Sequence, residues 1–410
     1  MKPKSVMLIA GEPSGDTLGA ELVNALRIEL SSREVDYTPF GQPLHTGLEP
    51  GFFGAGGPRM AAAGVELAFN LVEHSIIGIP SWKNYRQARQ RFNQLLQLAI
   101  ERQPDVIVGI DYNYFNLKFA HAIRERTRRQ SGWFHDWRPK LVKYISPQVW
   151  ASREGRAYQI ARDYDLLLSI FPFEKDWYAR RVPKLRVEFV GHPMVDRFSS
   201  QERTPRVPDL SKSTAAPEIL LLPGSRIKEL DRHLPVMLDA LKLIREKTPQ
   251  ARAQIVLPDE TLAPQAKSLG APSEVPIQIG NLPEALSHAD LAIASTGTVT
   301  MECAFFGVPA VTIYKTSWAT YEIGKRIVKV KSLTMPNLLA GEEVFPEFIQ
   351  NTATPENISR AASDLLQNQS RREAIKHKLT EIVFSLGDPA ASQRAARAIV
   401  DLLEPRMNTK

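Results

Sequence analysis

The segment Leu291 to Lys315, LAIASTGTVTMECAFFGVPAVTIYK, contains the pattern from which the rest of the chain is interpreted. It begins with a short apolar run typical of a buried strand and continues through the small residues Ser295-Thr296-Gly297-Thr298. A helical stretch follows and ends at Gly-Val-Pro, after which a second apolar strand begins. Strand, loop, helix and strand in this order are the repeating unit of α/β proteins. The segment therefore predicts an α/β fold.

The small-residue loop in this segment has the features of an anion site. Ser295, Thr296, Gly297 and Thr298 open the predicted helix, and a helix N-terminus favours an anion. Glu302, one turn further on, is placed to accept a hydrogen bond from a sugar hydroxyl.

A second loop of the same kind, Leu222-Pro223-Gly224-Ser225-Arg226, follows the predicted strand Glu218 to Leu222. Arg226 adds the fixed cation that a diphosphate leaving group needs. Either loop alone reads equally well as an ordinary capped turn. Two such loops in one α/β half favour a nucleotide site.

Length and composition indicate a two-domain globular enzyme. The chain has 410 residues, of which 43% are hydrophobic and 24% charged, and one ordinary core does not extend over that length. The single cysteine, Cys303, excludes an internal disulfide and a cysteine metal cluster, and is read as a packed thiol. No run of about 20 apolar residues is present, and Val6 to Ala10 reads as a first strand, not a signal segment. A cytoplasmic location is therefore expected.

The net charge of +7 and the pI near 9.3 predict acidic partners. Basic residues cluster at two places in the sequence. The clusters are Arg124, Arg126, Arg128, Arg129 and Lys325, Arg326, Lys329, Lys331. Neither contains interleaved aromatic residues or a nucleic-acid motif, so RNA and DNA are not the expected partners. Solvated helix faces explain such runs, and an anionic membrane surface is the alternative.

The first half of the chain alternates between strands and helices. Val6 to Ala10 is followed by the turn Gly11-Glu12-Pro13-Ser14-Gly15-Asp16 and a helix to about Leu30. Val35 to Gly51 shows no periodicity and is interpreted as a loop insertion, and Gly54-Ala55-Gly56-Gly57-Pro58 as a glycine-rich turn into a helix. The spacing does not match a dinucleotide fingerprint.

Two further features of this half bear on function. From Ser81 to Ile100 the apolar residues fall on one helical face, which predicts a helix packed on a sheet; the alternative is an interfacial helix with Trp82 and Tyr85 at the lipid headgroups. Asp111 stands just beyond the buried strand Val106 to Ile110, and ligands of open α/β sheets bind at that edge.

The order of elements predicts two doubly wound Rossmann-like domains facing a cleft, as in the glycosyltransferase-B architecture. The predicted divisions are residues 1–196 for a first domain, 197–217 for a linker rich in proline and serine, and 218–385 for a second domain. Residues 386–410 contain a last helix, from Pro389 to Leu403, that is expected to cross back to the first domain.

Several blocks, in this order and spread over nearly the whole chain, resemble the lipid-A-disaccharide synthase family of inverting glycosyltransferases. In the first half they are Gly11 to Asp16, Gly54 to Met60, Gly109-Ile110-Asp111, Ser146 to Trp150, Phe171 to Glu174 and Gly191-His192-Pro193. In the second half they are Leu222 to Arg226 with Glu229, Ser295 to Glu302, and Met335 to Gly341.

The resemblance implies transfer of 2,3-diacylglucosamine from its UDP carrier to the 6-hydroxyl of 2,3-diacylglucosamine 1-phosphate. UDP leaves and the anomeric centre inverts. By similarity Asp111 is the general base, since a single displacement with inversion needs one base opposite the leaving group. Because both substrates carry acyl chains, the enzyme is expected to be peripheral on the cytoplasmic face of the inner membrane. A homodimer is compatible with the sequence, which leaves the oligomeric state open.

The same resemblance implies that residues 1–196 form the acceptor-binding domain and residues 218–385 the UDP-sugar-binding domain, and it gives roles to further residues. Arg226 would neutralise charge on the departing diphosphate, with Gly224, Ser225 and the Ser295–Thr298 loop completing the phosphate site. Glu302 would hold the ribose, and Asn337 would bind the nucleotide. Glu12, Ser14, Gly15 and Asp16 are the candidates for acceptor binding. No DxD-like pair flanks these loops, so no metal and no cofactor is expected: arginine and the helix dipole take that place.

The chain departs from the family at three places in the acceptor half. The family usually has Gly-Ile-Asp-Ala-Pro-Asp-Phe-Asn, whereas here Asp111 is followed by Tyr112-Asn113-Tyr114. Ser152 replaces an aromatic residue, and the Val35 to Gly51 connection is long. Two alternative functions therefore stay open. One is another UDP-sugar transferase or an epimerase of the same architecture, and the other is a non-catalytic homologue that binds UDP-sugar or lipid.

Overall fold

The computed structural model describes residues 3–33, 35–37, 43–45, 50–73, 82–129, 136–198 and 216–404. The chain divides into two compact units. Unit 1 consists of residues 1–201 with 386–410, and unit 2 consists of residues 202–385. Each unit contains one parallel sheet with helices packed against it. No helix within the described ranges has the length and apolar character needed to cross a bilayer.

Unit 1 is built on seven parallel strands. Their order in the sheet is β5-β4-β1-β6-β7-β8-β9, and the two remaining strands of the unit, β2 and β3, pair only with each other. The strands of unit 1 are β1 (Ser5–Ala10), β2 (Val35–Tyr37), β3 (Pro43–His45), β4 (Gly51–Gly56), β5 (Glu66–Asn70), β6 (Val106–Ile110), β7 (Lys140–Tyr144), β8 (Leu166–Ser169) and β9 (Arg186–Phe189). Its helices are α1 (Pro13–Arg33), α2 (Pro58–Ala62), α3 (Trp82–Arg102), α4 (Asn113–Arg129), α5 (Val149–Ser152), α6 (Arg156–Asp163), α7 (Pro172–Arg181), α8 (Pro193–Phe198) and α17 (Ala391–Leu403).

Unit 2 is built on six parallel strands in the order β12-β11-β10-β13-β14-β15. The strands are β10 (Glu218–Leu222), β11 (Arg252–Leu257), β12 (Ile277–Ile279), β13 (Leu291–Ser295), β14 (Ala310–Tyr314) and β15 (Glu347–Ile349). The helices are α9 (Ile227–Lys247), α10 (Ala263–Ser268), α11 (Leu282–His288), α12 (Thr298–Phe305), α13 (Trp318–Ile327), α14 (Met335–Ala340), α15 (Pro355–Gln367) and α16 (Gln369–Ser385).

The α/β class and the doubly wound parallel sheets are confirmed, and the apolar runs that predicted them form the cores. Strands β6 and β13 are buried along their whole length, because helices cover both faces of a parallel sheet. Cys303 is fully buried, and burial raises the pKa of its thiol, which makes it a packing group.

The segment around the predicted insertion differs from expectation. Val35–Tyr37 and Pro43–His45 pair as two antiparallel strands, so the prediction of a loop is wrong for these residues. Gly54 belongs to strand β4 and not to a turn, with parallel pairing to β1. A Cβ on Gly54 would lie 2.0 Å from the Leu8 carbonyl oxygen. Glycine is therefore needed there for close approach of two strands, and not for a turn.

The last helix returns to unit 1, as predicted. Helix α17 packs against α1, and Ala395, Ile399 and Val400 are fully buried in the core of unit 1. The Asp196 carboxylate accepts hydrogen bonds from the backbone N–H groups of Ala390 (2.5 Å) and Ala391 (2.9 Å). The start of α17 is thus capped by a residue distant in sequence.

Helix α3 extends over the predicted region, and its described part is packed. Leu95 and Ala99 are buried, and the Phe92 ring makes edge contacts with Phe115 and Phe119 of α4. The side chains of Trp82 and Tyr85 lie outside the described residues, as do residues 199–215 of the predicted linker.

Candidate functional site

In each unit the predicted site residues lie at the carboxyl ends of neighbouring strands, apart from Glu302 within α12 and Asn337 within α14. In unit 1, Ala10 at the end of β1 pairs with Ile110 at the end of β6, so the turn containing Glu12 and the Asp111 turn are adjacent. In unit 2, Leu222 at the end of β10 pairs with Ala294 of β13. The two predicted phosphate loops are therefore side by side, at the edge where open α/β sheets bind ligands.

Asp111 occupies an unusual turn at the end of β6. Both Asp111 and Tyr112 have positive φ angles, 42° and 43°, a conformation that costs a non-glycine residue about 1–2 kcal/mol. The Asp111 N–H donates to Tyr144 O at 2.9 Å, and the Asp111 carbonyl accepts from Asn116 Nδ2 at 2.9 Å. These bonds hold the partly exposed carboxylate at the edge of the sheet.

Two residues that support this turn were not found from the sequence. Asn116 donates to Asp111 O and also approaches Ile110 O at 3.2 Å. The Lys143 ammonium, fully buried in β7, donates to Asp111 O as well. In the sequence Lys143 is one polar residue within an apolar strand, a signal that could have been noticed.

The predicted turn Gly11–Asp16 is helical from Pro13 onward, because α1 starts there and not after Asp16, and its residues are of two kinds. Glu12 and Ser14 are exposed, and Gly15 is buried against Ala10. Asp16 is 2% exposed, and its carboxylate accepts from the backbone N–H groups of Gly57, Arg59 and Met60 at 2.8–3.0 Å. Asp16 thus holds the start of α2, a different position from that expected of an acceptor ligand.

The loop after β10 has a glycine with a specific steric role. Gly224 has a φ of +121°, and a Cβ there would lie 2.3 Å from Glu229 Oε2. That same oxygen accepts from Ser225 N at 2.9 Å, and Glu229 Oε1 lies 3.4 Å from Arg226 Nη1. The guanidinium of Arg226 is 61% exposed, so it is accessible to an anion.

The loop after β13 leads into α12 with Gly297 at the N-cap, which has a φ of 151°. Ser295 is buried, whereas Gly297 and Thr298 are exposed and Thr296 is half-buried. The first N–H groups of a helix lack intrahelical partners, and the N-cap residue Gly297 has no side chain to cap them. Thr300 Oγ1 bonds back to Gly297 O at 2.7 Å, and Glu302 is half-buried one turn into the helix. Backbone donors and exposed hydroxyl groups are therefore available for a phosphate.

His233 of α9 links the loop after β10 to the segment after β14, and it was not predicted from the sequence. The N–H of Lys315, which follows β14, donates to His233 Nε2 at 3.0 Å. His233 Nδ1 lies 2.8 Å from Pro223 O and must therefore be the protonated nitrogen. Burial lowers the pKa of His233, which favours this neutral tautomer.

The side-chain amide of Asn337 forms all of its hydrogen bonds within unit 2. It is 2% exposed; its Nδ2 donates to Phe345 O and Glu347 Oε1, and its Oδ1 accepts from Val344 N and Phe345 N, all at 2.8–2.9 Å. These four bonds satisfy the amide. In this conformation Asn337 holds the α14–β15 connection and has no donor left for a nucleotide.

A hydrogen bond joins the sequence blocks Ser146–Trp150 and Phe171–Glu174 of unit 1. Trp150 Nε1, from the Ser146–Trp150 block, donates to Glu174 Oε1 at 3.0 Å. Glu174 is fully buried, and burial raises its pKa to about 7. No group of three or more His, Cys, Asp or Glu residues capable of holding a metal exists in the described part of the chain.

Comparison with solved structures identifies the class of fold to which this chain belongs. The putative UDP-N-acetylglucosamine 2-epimerase from Listeria monocytogenes superposes with a TM-score of 0.60 at 16% identity, covering 100% of this chain and 99% of that one. The UDP-N-acetylglucosamine 2-epimerase from Methanocaldococcus jannaschii, in complex with UDP-GlcNAc and UDP, has a TM-score of 0.56 at 13% identity, covering 98% and 99%. At these identities the likeness shows the fold alone, which is the α/β fold that these epimerases share with the chain.

Sequence comparison is more specific. Residues 6–401 match the family model described as lipid-A-disaccharide synthetase. The lipid-A-disaccharide synthases of Trichlorobacter lovleyi and Myxococcus xanthus are each 34% identical to this chain, with 98% of both chains covered. The chain belongs to the lipid-A-disaccharide synthase family, and it is accordingly a glycosyltransferase.

Proposed function

We propose that the protein transfers 2,3-diacylglucosamine from UDP-2,3-diacylglucosamine to the 6-hydroxyl of 2,3-diacylglucosamine 1-phosphate. The products are the lipid A disaccharide 1-phosphate and UDP, with inversion at the anomeric carbon. The observation that carries the proposal is a full-length family match in a chain whose candidate base and phosphate loops all lie at strand ends. UDP is the leaving group because both phosphate loops can serve a diphosphate.

The base in this proposal is Asp111. Its carboxylate is partly exposed and is held by a backbone turn that hydrogen bonds keep in place. A carboxylate in this situation can accept the proton of the attacking hydroxyl while the C–O bond to UDP breaks. The proton thus goes to Asp111 and the electron pair leaves with the diphosphate.

Donor binding is assigned to unit 2. Arg226 and the backbone of Gly224 and Ser225 take one side of the diphosphate, and the Thr296–Thr298 end of α12 takes the other. Ser295 contributes from a buried position at the end of β13. Glu302 is the proposed ribose ligand. For Asn337 we revise the role to positioning, since its amide is satisfied by unit 2 itself.

Acceptor binding is assigned to unit 1. Glu12 and Ser14 are exposed beside the Asp111 turn, and Gly15 lets the start of α1 pack against β1. Asp16 is reassigned to holding the start of α1 against α2. The Tyr112 side chain, which is larger than the alanine usual at this position in the family, packs over Gly11, where a Cβ would lie 2.5 Å from the ring. We therefore expect the acceptor preference of this chain to depend on the Tyr112 ring beside the base.

The decisive experiment measures UDP release when the purified protein is mixed with the two diacylglucosamine substrates. We expect turnover by the parent, and a kcat lower by about 100- to 10,000-fold in Asp111→Asn, as for loss of a general base. UDP binding by calorimetry should persist in that variant. Asp136→Asn, with a side chain 95% exposed, is the matched control.

The same measurements separate the alternative functions. A parent that binds UDP without releasing it from the donor would be a binding protein. Release only in the presence of a different sugar acceptor, or conversion of the UDP-sugar without transfer, would favour another transferase or an epimerase. The shared fold of the two epimerases above is the observation that keeps this second candidate open.

We further propose that the enzyme acts as a peripheral protein on the cytoplasmic face of the inner membrane, and that α13 with the residues after it contacts the bilayer. Trp318 is 76% exposed and Val328 is 39% exposed. Lys325, Arg326 and Lys329 are exposed beside them. Aromatic and basic residues together suit an anionic lipid surface, at about 1 kcal/mol per basic residue.

The other basic cluster is a weaker candidate because its charges are paired within unit 1. Arg124 bonds to Asp165, and Arg128 and Arg129 both lie 3.6 Å from Glu125. Surface pairing of this kind leaves less charge for lipid.

Vesicle sedimentation tests the bilayer proposal at low salt. The parent should bind phosphatidylglycerol vesicles, and the Trp318→Ala/Lys325→Glu/Arg326→Glu variant should bind at least about tenfold more weakly. Lys267→Glu, a charge reversal at another exposed lysine of unit 2, is the control. Equal binding of all three proteins, or no binding by the parent, would contradict this assignment.

A further inference from the structure

Strand β7 of unit 1 contains a lysine in an unusual environment. Lys143 is 0% exposed and pairs in register with Gly109 of β6. Its ammonium donates to the backbone carbonyl of Asp111. The buried charge thus lies against the dipole of a backbone carbonyl group.

Such an arrangement does not favour folding. Burial disfavours the charged form and lowers the pKa of Lys143 to about 8, an effect that the nearby charges of Asp111 and Glu12 oppose. A hydrophobic residue of similar volume in place of a buried charge is often neutral or stabilising. Stability alone thus gives no reason for a lysine at this position.

The two acidic groups that act on Lys143 are the ones that matter to the site. Glu12 follows β1 and Asp111 follows β6, and these strands are neighbours. The attraction between the buried ammonium of Lys143 and these two carboxylates is mutual.

Lys143 also acts on the backbone. The Asp111–Tyr112 turn contains two consecutive non-glycine residues with positive φ. Lys143 Nζ and Asn116 Nδ2 both donate to the Asp111 carbonyl oxygen. A strained turn persists only where its surroundings over-determine it.

We propose that Lys143 is a positioning residue for the transfer reaction. Its ammonium holds the left-handed turn of Asp111 and serves as the shared counter-ion that keeps the Asp111 and Glu12 carboxylates ionised together. The inference rests on the proposed function, because it takes Asp111 as the base. Lys143 touches neither substrate in this scheme and acts only through Asp111 and Glu12.

The test compares Lys143→Met, which removes charge and donor, with Lys143→Gln, which removes charge but keeps a donor. We expect kcat to fall about 10- to 100-fold in Lys143→Met, with the donor KM unchanged and the Tm at pH 7 equal to or above that of the parent. Lys143→Gln should lie between the two if both hydrogen bond and charge contribute. Lys140→Met, at an exposed lysine of the same strand, is the matched control.

The pH profile distinguishes this role from a merely structural one. Activity of the parent should decline above about pH 8, as Lys143 loses its proton. Lys143→Arg, which cannot lose its proton in this range, should retain activity to higher pH. An unchanged kcat and pH profile in Lys143→Met, or a loss of kcat matched by a fall in Tm, would overturn the proposal.

A readout without catalysis separates this inference from the proposed function. Carboxyl carbon NMR titrations, with Asp111→Asn and Glu12→Gln for assignment, should show one of the two carboxyl groups taking up a proton at higher pH in Lys143→Met than in the parent. If the parent shows no turnover but this change occurs, the proposed function fails and the counter-ion role stands. If the titrations coincide, the counter-ion role fails even in an active enzyme.

Discussion

Gly224 shows how one residue decides the shape of the proposed diphosphate loop. Its φ of +121° is a conformation that L-residues rarely adopt, and a Cβ would meet Glu229 Oε2 at 2.3 Å. Glu229 in turn fixes the loop by accepting from Ser225 N. A side chain at Gly224 would displace the carboxylate that orders the loop.

We therefore expect Gly224→Ala to weaken UDP binding at least about tenfold, which equals about 1.4 kcal/mol. Gly270→Ala is the control, because Gly270 also has a positive φ, +88°, but a Cβ there meets nothing within 4 Å. Both variants carry backbone strain, and only the first disturbs Glu229. Calorimetry with UDP checks the prediction, which is wrong if the two variants bind alike.

At the scale of elements, His233 ties helix α9 to the chain segments that follow β10 and β14. It bonds to Pro223 O and to Lys315 N, and it is 2% exposed. Removing it would leave a buried carbonyl and a partly buried N–H unsatisfied, at up to about 1–3 kcal/mol each. The loops at both strand ends depend on one imidazole in one tautomer.

We expect His233→Ala to destabilise unit 2 by about 2–4 kcal/mol and to weaken UDP binding. Urea unfolding, monitored by hydrogen exchange of the amides in unit 2, measures the loss of stability. His377→Ala, at a side chain 79% exposed, is the control. A stability equal to that of the parent would show that the two bonds contribute nothing.

The same histidine predicts an acid-sensitive stability. Burial lowers the folded-state pKa of His233 below the ordinary value of 6.5. The unfolded chain then binds a proton before the folded chain does, so the contribution of His233 to stability is complete above about pH 6.5 and declines as the pH falls below it. The parent should lose more stability than His233→Ala between pH 7 and pH 5.

At the scale of the whole molecule, unit 1 is built from two separate parts of the sequence, residues 1–201 and 386–410. Helix α17 supplies fully buried core residues, Ile399 and Val400 among them. Burial of such side chains contributes about 1.5–3 kcal/mol each. The Asp196 cap at Ala390 and Ala391 fixes where this helix starts.

Asp196→Ala should accordingly destabilise unit 1 by about 1–2 kcal/mol, as expected for loss of a helix cap. The helix α17 amides should exchange faster in that variant, while those of unit 2 stay unchanged. Asp176→Ala, at an exposed aspartate of α7, provides the comparison. Hydrogen exchange resolved by segment makes the measurement, and uniform protection in both variants would contradict the cap.

What the sequence by itself determined was the order of elements, the α/β class and the positions of the loops. Apolar runs such as Val106–Ile110 and Leu291–Ser295 report burial directly, and the loops after them contain small or polar residues in a recognisable order. Strands β4, β5 and β15 were missed, as was the β2–β3 pair. Strand β4 is rich in glycine, and β5 and β15 are short and have no fully buried residue, so they lack the apolar run that marks the others.

Tertiary structure alone decided what the polar side chains do. Asp16 and Asn337 are spent on backbone groups distant in sequence, and Lys143 and His233 support site loops from neighbouring elements. A sequence shows which groups can donate or accept, whereas their partners depend on which strands become neighbours. Partner choice is therefore a property of the packed fold, because hydrogen bonds form only over about 3 Å.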